Sequence, residues 1–148
     1  MTGIDSDIAI TADEERGGFH QLLGYRHVSW EENCAVIELT LQPKHINRGG
    51  VIHGGVLASL LDIVLADAGT YCPYPGRTRK AITLSLTTTF TGQCSSGTIR
   101  VTGERRAGGQ RIFNSTGEAR DEAGNLLAIA EGTFRLRTGS EKPEGAPI

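Results

Sequence analysis

The stretch that decides the fold is Asn47-Arg48-Gly49-Gly50-Val51-Ile52-His53-Gly54-Gly55-Val56-Leu57-Ala58-Ser59-Leu60-Leu61-Asp62. A glycine-rich loop runs into a segment whose apolar residues, Val56, Leu57, Leu60, Leu61, Val64, Leu65 and Ala68, recur at helical spacing. The spacing predicts a helix from Gly54 to about Tyr71, and Pro73 and Pro75 forbid its continuation. Ala58, Ile63 and Ala66 occupy its other sides, so the helix is expected to be buried on most faces.

Outward from that helix the pattern is β. Upstream, Phe19 to Leu23 reads as a short helix stopped by Gly24. Two strands follow, Tyr25 to Trp30 and Ala35 to Leu41, joined at Glu32-Asn33 and ended by Pro43, with Lys44 to Gly50 as a loop. Ala35, Ile37, Leu39 and Leu41 alternate with Val36, Glu38 and Thr40, which marks one buried face. Downstream, strict alternation starts at Ile82-Thr83-Leu84-Ser85-Leu86-Thr87 and continues to about Thr91. Further strands are expected over Gly97 to Arg106, Arg111 to Asp121 and Leu126 to Arg137, with Ala107 to Gln110 as a tight hairpin and Ala123-Gly124-Asn125 as the last turn. The fold class is therefore α+β, an antiparallel sheet with a single long helix to bury. One helix cannot cover such a sheet, so self-association is expected. Residues 1–15 are polar and acidic and read as a flexible arm, residues 16–138 as the single domain, and residues 139–148 as a disordered tail.

Composition narrows the function. The chain has 148 residues, 38% hydrophobic and 22% charged, with a formal net charge of −2. That fits one globular domain and supplies no overall field for nucleic acid or an anionic membrane. The charge is uneven: residues 1–74 carry 4 basic and 10 acidic side chains, and residues 75–148 carry 11 basic and 7 acidic. The second half either holds an anionic ligand or simply presents a surface of opposite sign to the first. Cys34, Cys72 and Cys94 are odd in number and lack a C-x-x-C pair, so neither disulfides nor a zinc site are expected. No signal peptide and no apolar run of membrane length is visible, and a cytoplasmic location is expected.

Three features of the opening stretch carry chemistry. His53-Gly54-Gly55 begins the helix, where unpaired N–H groups and a partial positive charge suit an oxyanion or a polarised carbonyl; the glycines also serve a tight chain path. Asp62 lies inside the apolar helix on a stripe with Gly55, Ala58, Ser59, Leu65, Ala66 and Gly69, nearly all small. A carboxylate there needs a partner or a raised pKa, as a base or nucleophile does, or as a structural acid bonding backbone N–H groups does. Asn47 and His53, six apart, bracket the glycine loop and either bind a substrate carbonyl or hold the loop. Asp67 lies further round the helix and reads as structural or exposed, while His20, His27 and His45 read as surface or loop residues. No spacing of His, Cys and Asp resembles a metal site, and Ser59 lacks the setting of a serine nucleophile.

Asn47, then His53-Gly54-Gly55, then Asp62 nine residues after the histidine, on a β-β-α-β-β-β-β pattern, resembles the signature of the PaaI-type hotdog-fold acyl-CoA thioesterases. The resemblance extends over Ala81 to Thr91 and spans about Phe19 to Arg137. It implies a hotdog fold, with the sheet wrapped around the helix, two subunits joining their sheets, and dimers pairing into a homotetramer. The implied reaction is hydrolysis of an acyl-CoA or aryl-CoA thioester, with no separate cofactor and no metal. Carried over, Asp62 is the general base or nucleophile, and the Gly54 N–H, with Gly55, polarises the thioester carbonyl. His53 and Asn47 orient the carbonyl or the water, and Thr83 either holds the water or is simply an inward-facing strand threonine. Asp62 comes from one subunit and Asn47 to Gly55 from its partner. Phe90 and the segments Phe90 to Ser95 and Ala107 to Ile112 would follow the CoA, with Arg79, Lys80, Arg105, Arg106 and Arg111 either binding its phosphates or standing as solvated surface charges. The alternative readings are a non-catalytic acyl-CoA-binding or regulatory hotdog protein, and a hotdog hydratase, for which the required Asp/His pair is not found.

Overall fold

The computed structural model describes residues 17–148. The expected flexible arm of residues 1–15 lies outside the described residues. In chain order the elements are α1 (Gly18–Leu23), β1 (Arg26–Glu31), β2 (Cys34–Thr40), a 3-10 turn (Pro43–His45), α2 (Gly54–Ala68), β3 (Arg77–Thr78), β4 (Ala81–Phe90), β5 (Thr98–Gly108), β6 (Ile112–Arg120), β7 (Leu126–Leu136) and β8 (Ala146–Pro147). Six strands form one antiparallel sheet in the order β1-β2-β5-β6-β7-β4, and α2 packs against it. This is the expected α+β arrangement, a sheet around one long helix.

The periodicities translate directly into packing. Leu57, Leu60, Leu61, Val64 and Leu65 are buried, as are Ala35, Ile37 and Leu39 of β2 and Ile99 and Val101 of β5. Each large aliphatic side chain so buried contributes about 1.5–3 kcal/mol relative to exposure. Phe113 and Phe134 stack with ring centroids 5.3 Å apart beneath the helix. The helix lies close to the sheet because β5 and β6 present glycines: a Cβ on Gly103 would lie 2.5 Å from the Val64 carbonyl oxygen. Helix α2 ends at Ala68, earlier than the expected Tyr71. Thr70 Oγ1 donates to the Ala66 carbonyl at 2.9 Å, and the Gly69 N–H reaches the same carbonyl at 3.1 Å, so the last turn closes on itself.

Two features depart from the expected pattern. Strand β4 is not strictly alternating. Its pairing with β7 is Thr83↔Phe134, then Ser85↔Thr133 and Leu86↔Gly132, with a bulge between Thr83 and Ser85. Phe134 is fully buried on the helix side of the sheet. The bulge therefore turns Thr83 toward α2, on the face that Leu86 shares, and leaves Ile82 and Leu84 about half exposed.

The tail of residues 139–148 is ordered rather than disordered. Its β8 pairs with β3, and Ser140 is only 4% exposed. Arg77 Nε donates to the Glu144 carbonyl at 2.7 Å, Arg79 Nε to the Ser140 carbonyl at 2.9 Å, and Ser140 Oγ accepts from the Lys80 N–H at 2.9 Å. Ala146 and Ile148 are too few to signal a core in the tail, but guanidinium donors from Arg77 and Arg79, far upstream, satisfy its backbone.

Candidate active site

The tip of α2 is built by the loop before it. The Asn47 N–H donates to the Val51 carbonyl at 2.8 Å, the Asn47 side-chain oxygen accepts from the Val51 N–H at 3.3 Å, and Gly50 takes φ 82, a left-handed conformation that favours glycine. The Ile52 N–H donates to the Cys94 carbonyl at 2.7 Å and the His53 N–H to the His45 carbonyl at 2.8 Å. These bonds fix where the helix begins. His45 is a buried anchor rather than a surface residue: its Nδ1 accepts from the Gln42 N–H at 3.0 Å and its Nε2 faces the Leu23 carbonyl at 2.8 Å.

His53 is the N-cap of α2, and its Nδ1 accepts from the Gly55 N–H at 2.8 Å. Two consequences follow. An accepting Nδ1 puts the proton of the neutral ring on Nε2, which can then donate outward. The Gly55 amide, expected as a second carbonyl donor, is already committed to the cap. The Gly54 N–H has no acceptor among the described residues. Phe90 packs over it, its ring 3.4 Å from where a Gly54 Cβ would stand. Asn47, Gly54, Leu57 and Phe90 line one cleft of about 500 Å³. Its open amide sits at the positive end of the helix.

Asp62 is half-buried on the open face of α2, in line with Gly55, Ser59 and Ala66. Thr83 Oγ1 donates to Asp62 Oδ1 at 2.7 Å. That bond answers the need for a partner and leaves Oδ2 without one among the described residues. Eight residues of helix separate Gly54 from Asp62, roughly 12 Å along the axis. A carbonyl polarised by the Gly54 amide therefore cannot be reached by Asp62 of the same chain.

The candidate arginines do not converge. Arg105 and Arg106, adjacent on β5, line different hollows: Arg105 faces a cavity at the C-terminal end of α2, and Arg106 lies on the outer face of the sheet, 3.5 Å from Glu104. Arg79 is engaged with the Ser140 and Glu141 carbonyls. Arg111 lies near Glu141, whose carboxyl its charge helps to lower. Asp67 is structural, as expected, but through partners that the sequence does not reveal. Its Oδ2 lies 2.8 Å from His27 Nε2, and its carbonyl accepts from Trp30 Nε1 at 2.8 Å. The His27 ring, expected at the surface or in a loop, lies on β1, is buried and stacks on Trp30 at 4.9 Å. No local spacing joins residues 27, 30 and 67, so only the folded sheet brings them together.

No protein-family model matches the chain. Over 103 residues it is 33% identical to a Pseudomonas aeruginosa protein named "Putative esterase PA0474", covering 68% of this chain and 74% of that one. The chain belongs to the family of this named esterase. Two solved structures establish the shared fold. The E. coli PaaI protein, from the phenylacetic acid degradation operon, superimposes with TM-score 0.76 at 24% identity, over 95% of this chain and 94% of that one. Zebra fish thioesterase superfamily member 2 superimposes with TM-score 0.74 at 23% identity, over 93% of this chain and all of the other.

Proposed function

We propose that this hotdog protein hydrolyses acyl-CoA or aryl-CoA thioesters in a site shared by two copies of the chain. The observation that carries the reading is the pairing of an open helix-tip amide, Gly54, with a helix carboxylate, Asp62, too distant along its own helix to act on the same carbonyl. A homodimer that sets one chain's Gly54 tip against the other's Asp62 brings the two together.

In that arrangement the Gly54 N–H polarises the thioester carbonyl and holds the oxyanion that forms there. The bond from Thr83 fixes Oδ1 of Asp62, and the unshared Oδ2 either takes a proton from the attacking water or attacks the carbonyl carbon itself, expelling the thiolate with the C–S electron pair and forming an anhydride that water then hydrolyses. On the water route the oxygen adds to the carbon, the tetrahedral adduct collapses, and the CoA thiolate leaves with the C–S electron pair. His53, donating from Nε2, and Asn47 orient the carbonyl or the water from the rim of the cleft. Phe90 flanks the path of the thioester. Pairing of two such dimers into a tetramer belongs to the same proposal. The test is release of CoA thiol across short, long, branched and aromatic CoA esters by wild type and Asp62→Asn. Turnover by wild type and its loss in a folded variant support the reading; tight binding with no turnover of any ester contradicts it.

A further inference from the structure

A second cavity, about 320 Å³, opens at the C-terminal end of α2, far from the Gly54 tip. The β1–β2 turn, the segment after the helix, the start of β6 and the tail surround it, and Pro143 of the ordered tail forms part of its wall. Tyr71, Tyr74 and Phe113 give it an aromatic lining, and Arg79 and Arg105 give it positive charge. The two arginines differ. Arg79 spends donors on tail carbonyls. The partly buried Arg105 guanidinium has no acceptor among the described residues. Burial first, and the Arg105 charge after it, pull the Arg79 guanidinium below its ordinary value, against Cys72 and Glu144, which raise it. Glu32 also lines the cavity, without an ion-pair partner among the described residues, and offsets one positive charge.

We infer that this cavity binds a small organic monoanion with a ring body, its carboxylate on Arg105 and its ring among Tyr71, Tyr74 and Phe113. A guanidinium that is partly desolvated and unpaired gains most from a charge-assisted, bidentate acceptor. The aromatic walls favour a flat apolar body, and the volume holds one small ring system. A polyphosphorylated nucleotide fits less well, because a single free guanidinium would face several negative charges beside Glu32. Within one chain the cavity shares no lining residue with the Gly54 cleft.

The chain's one tryptophan reports on this cavity, since the Trp30 and Tyr71 ring centroids are 6.2 Å apart. Benzoate is titrated at constant ionic strength while Trp30 fluorescence is followed, with benzamide as the neutral counterpart. The expected result is a saturable change with benzoate and none with benzamide over the same range. Arg105→Met should weaken benzoate about ten-fold, the loss of one charge-assisted contact, with Arg105→Lys intermediate and the circular dichroism of both unchanged. Asp62→Asn should bind benzoate as wild type does. No saturable change in wild type, or wild-type affinity in Arg105→Met, overturns the inference. So does loss of binding in Asp62→Asn. Displacement of benzoate by lower concentrations of adenosine 3′,5′-bisphosphate overturns it as well, by giving the cavity to the nucleotide end of the thioester substrate.

Discussion

The Thr83 hydroxyl donates to Asp62 Oδ1 at 2.7 Å, joining the bulge of β4 to the middle of α2. Without the bulge, the alternation of β4 would carry Thr83 to the opposite face from Leu86 and leave the carboxylate unpartnered. Thr83→Val keeps the shape and removes the donor. Its kcat should fall about ten-fold with little change in KM, because the bond orients a group that acts in the transition state. Steady-state release of CoA thiol measures both constants.

Gly54→Pro removes one N–H and sets its ring against Phe90, which lies 3.4 Å from where a Gly54 Cβ would stand. Proline is favoured at the first helical position, and the preceding His53 already has φ −67 and ψ 133, the conformation that proline demands of its predecessor. The helix should survive by circular dichroism, while kcat should drop roughly 10²- to 10³-fold, the scale of losing one oxyanion donor.

Gly103→Ala tests the close approach of helix and sheet. The added Cβ would press on the Val64 carbonyl oxygen at 2.5 Å, backbone against backbone. A loss of about 1–3 kcal/mol is expected from urea unfolding, the usual penalty of overpacking.

The ordered tail gives a pH prediction. Hydrogen bonds from its own backbone and from the Gly139 N–H hold the Glu141 carboxyl below its ordinary 4.5. A depressed acid contributes stability above its unfolded value and loses it as pH falls through the folded one. The Gly139 amide resonance should therefore stay constant from neutral pH to about 5 and move only below 4.5, the unperturbed value. A midpoint at or above the unperturbed value would contradict the bond.

The long helix, the four strands after it and the residues Asn47, His53, Gly54 and Asp62 were legible in the sequence, because helical and two-residue periodicities and a glycine-rich loop are local signals. What escaped was set by distant partners. The Thr83 bulge depends on how β4 pairs with β7, and nothing in Ile82 to Thr87 announces it. The commitment of the Gly55 amide to His53 is a matter of rotamer. The cluster of His27, Trp30 and Asp67 spans forty residues of chain. The tail, which looked like solvent-bound polar sequence, docks because Arg77 and Arg79 supply its hydrogen bonds.

Mixing two inactive chains tests most directly whether two copies build the site. Gly54→Pro keeps Asp62 and loses the tip donor; Asp62→Asn keeps the donor and loses the acid. Unfolded together and refolded as a mixture, half of the dimers should pair one chain of each kind, and each such dimer holds one complete site of two. Thiol release should recover to roughly a quarter of the wild-type rate, as random pairing of a two-fold dimer requires. A mixture no more active than the two variants measured separately would show that Asp62 and Gly54 do not act across the subunits.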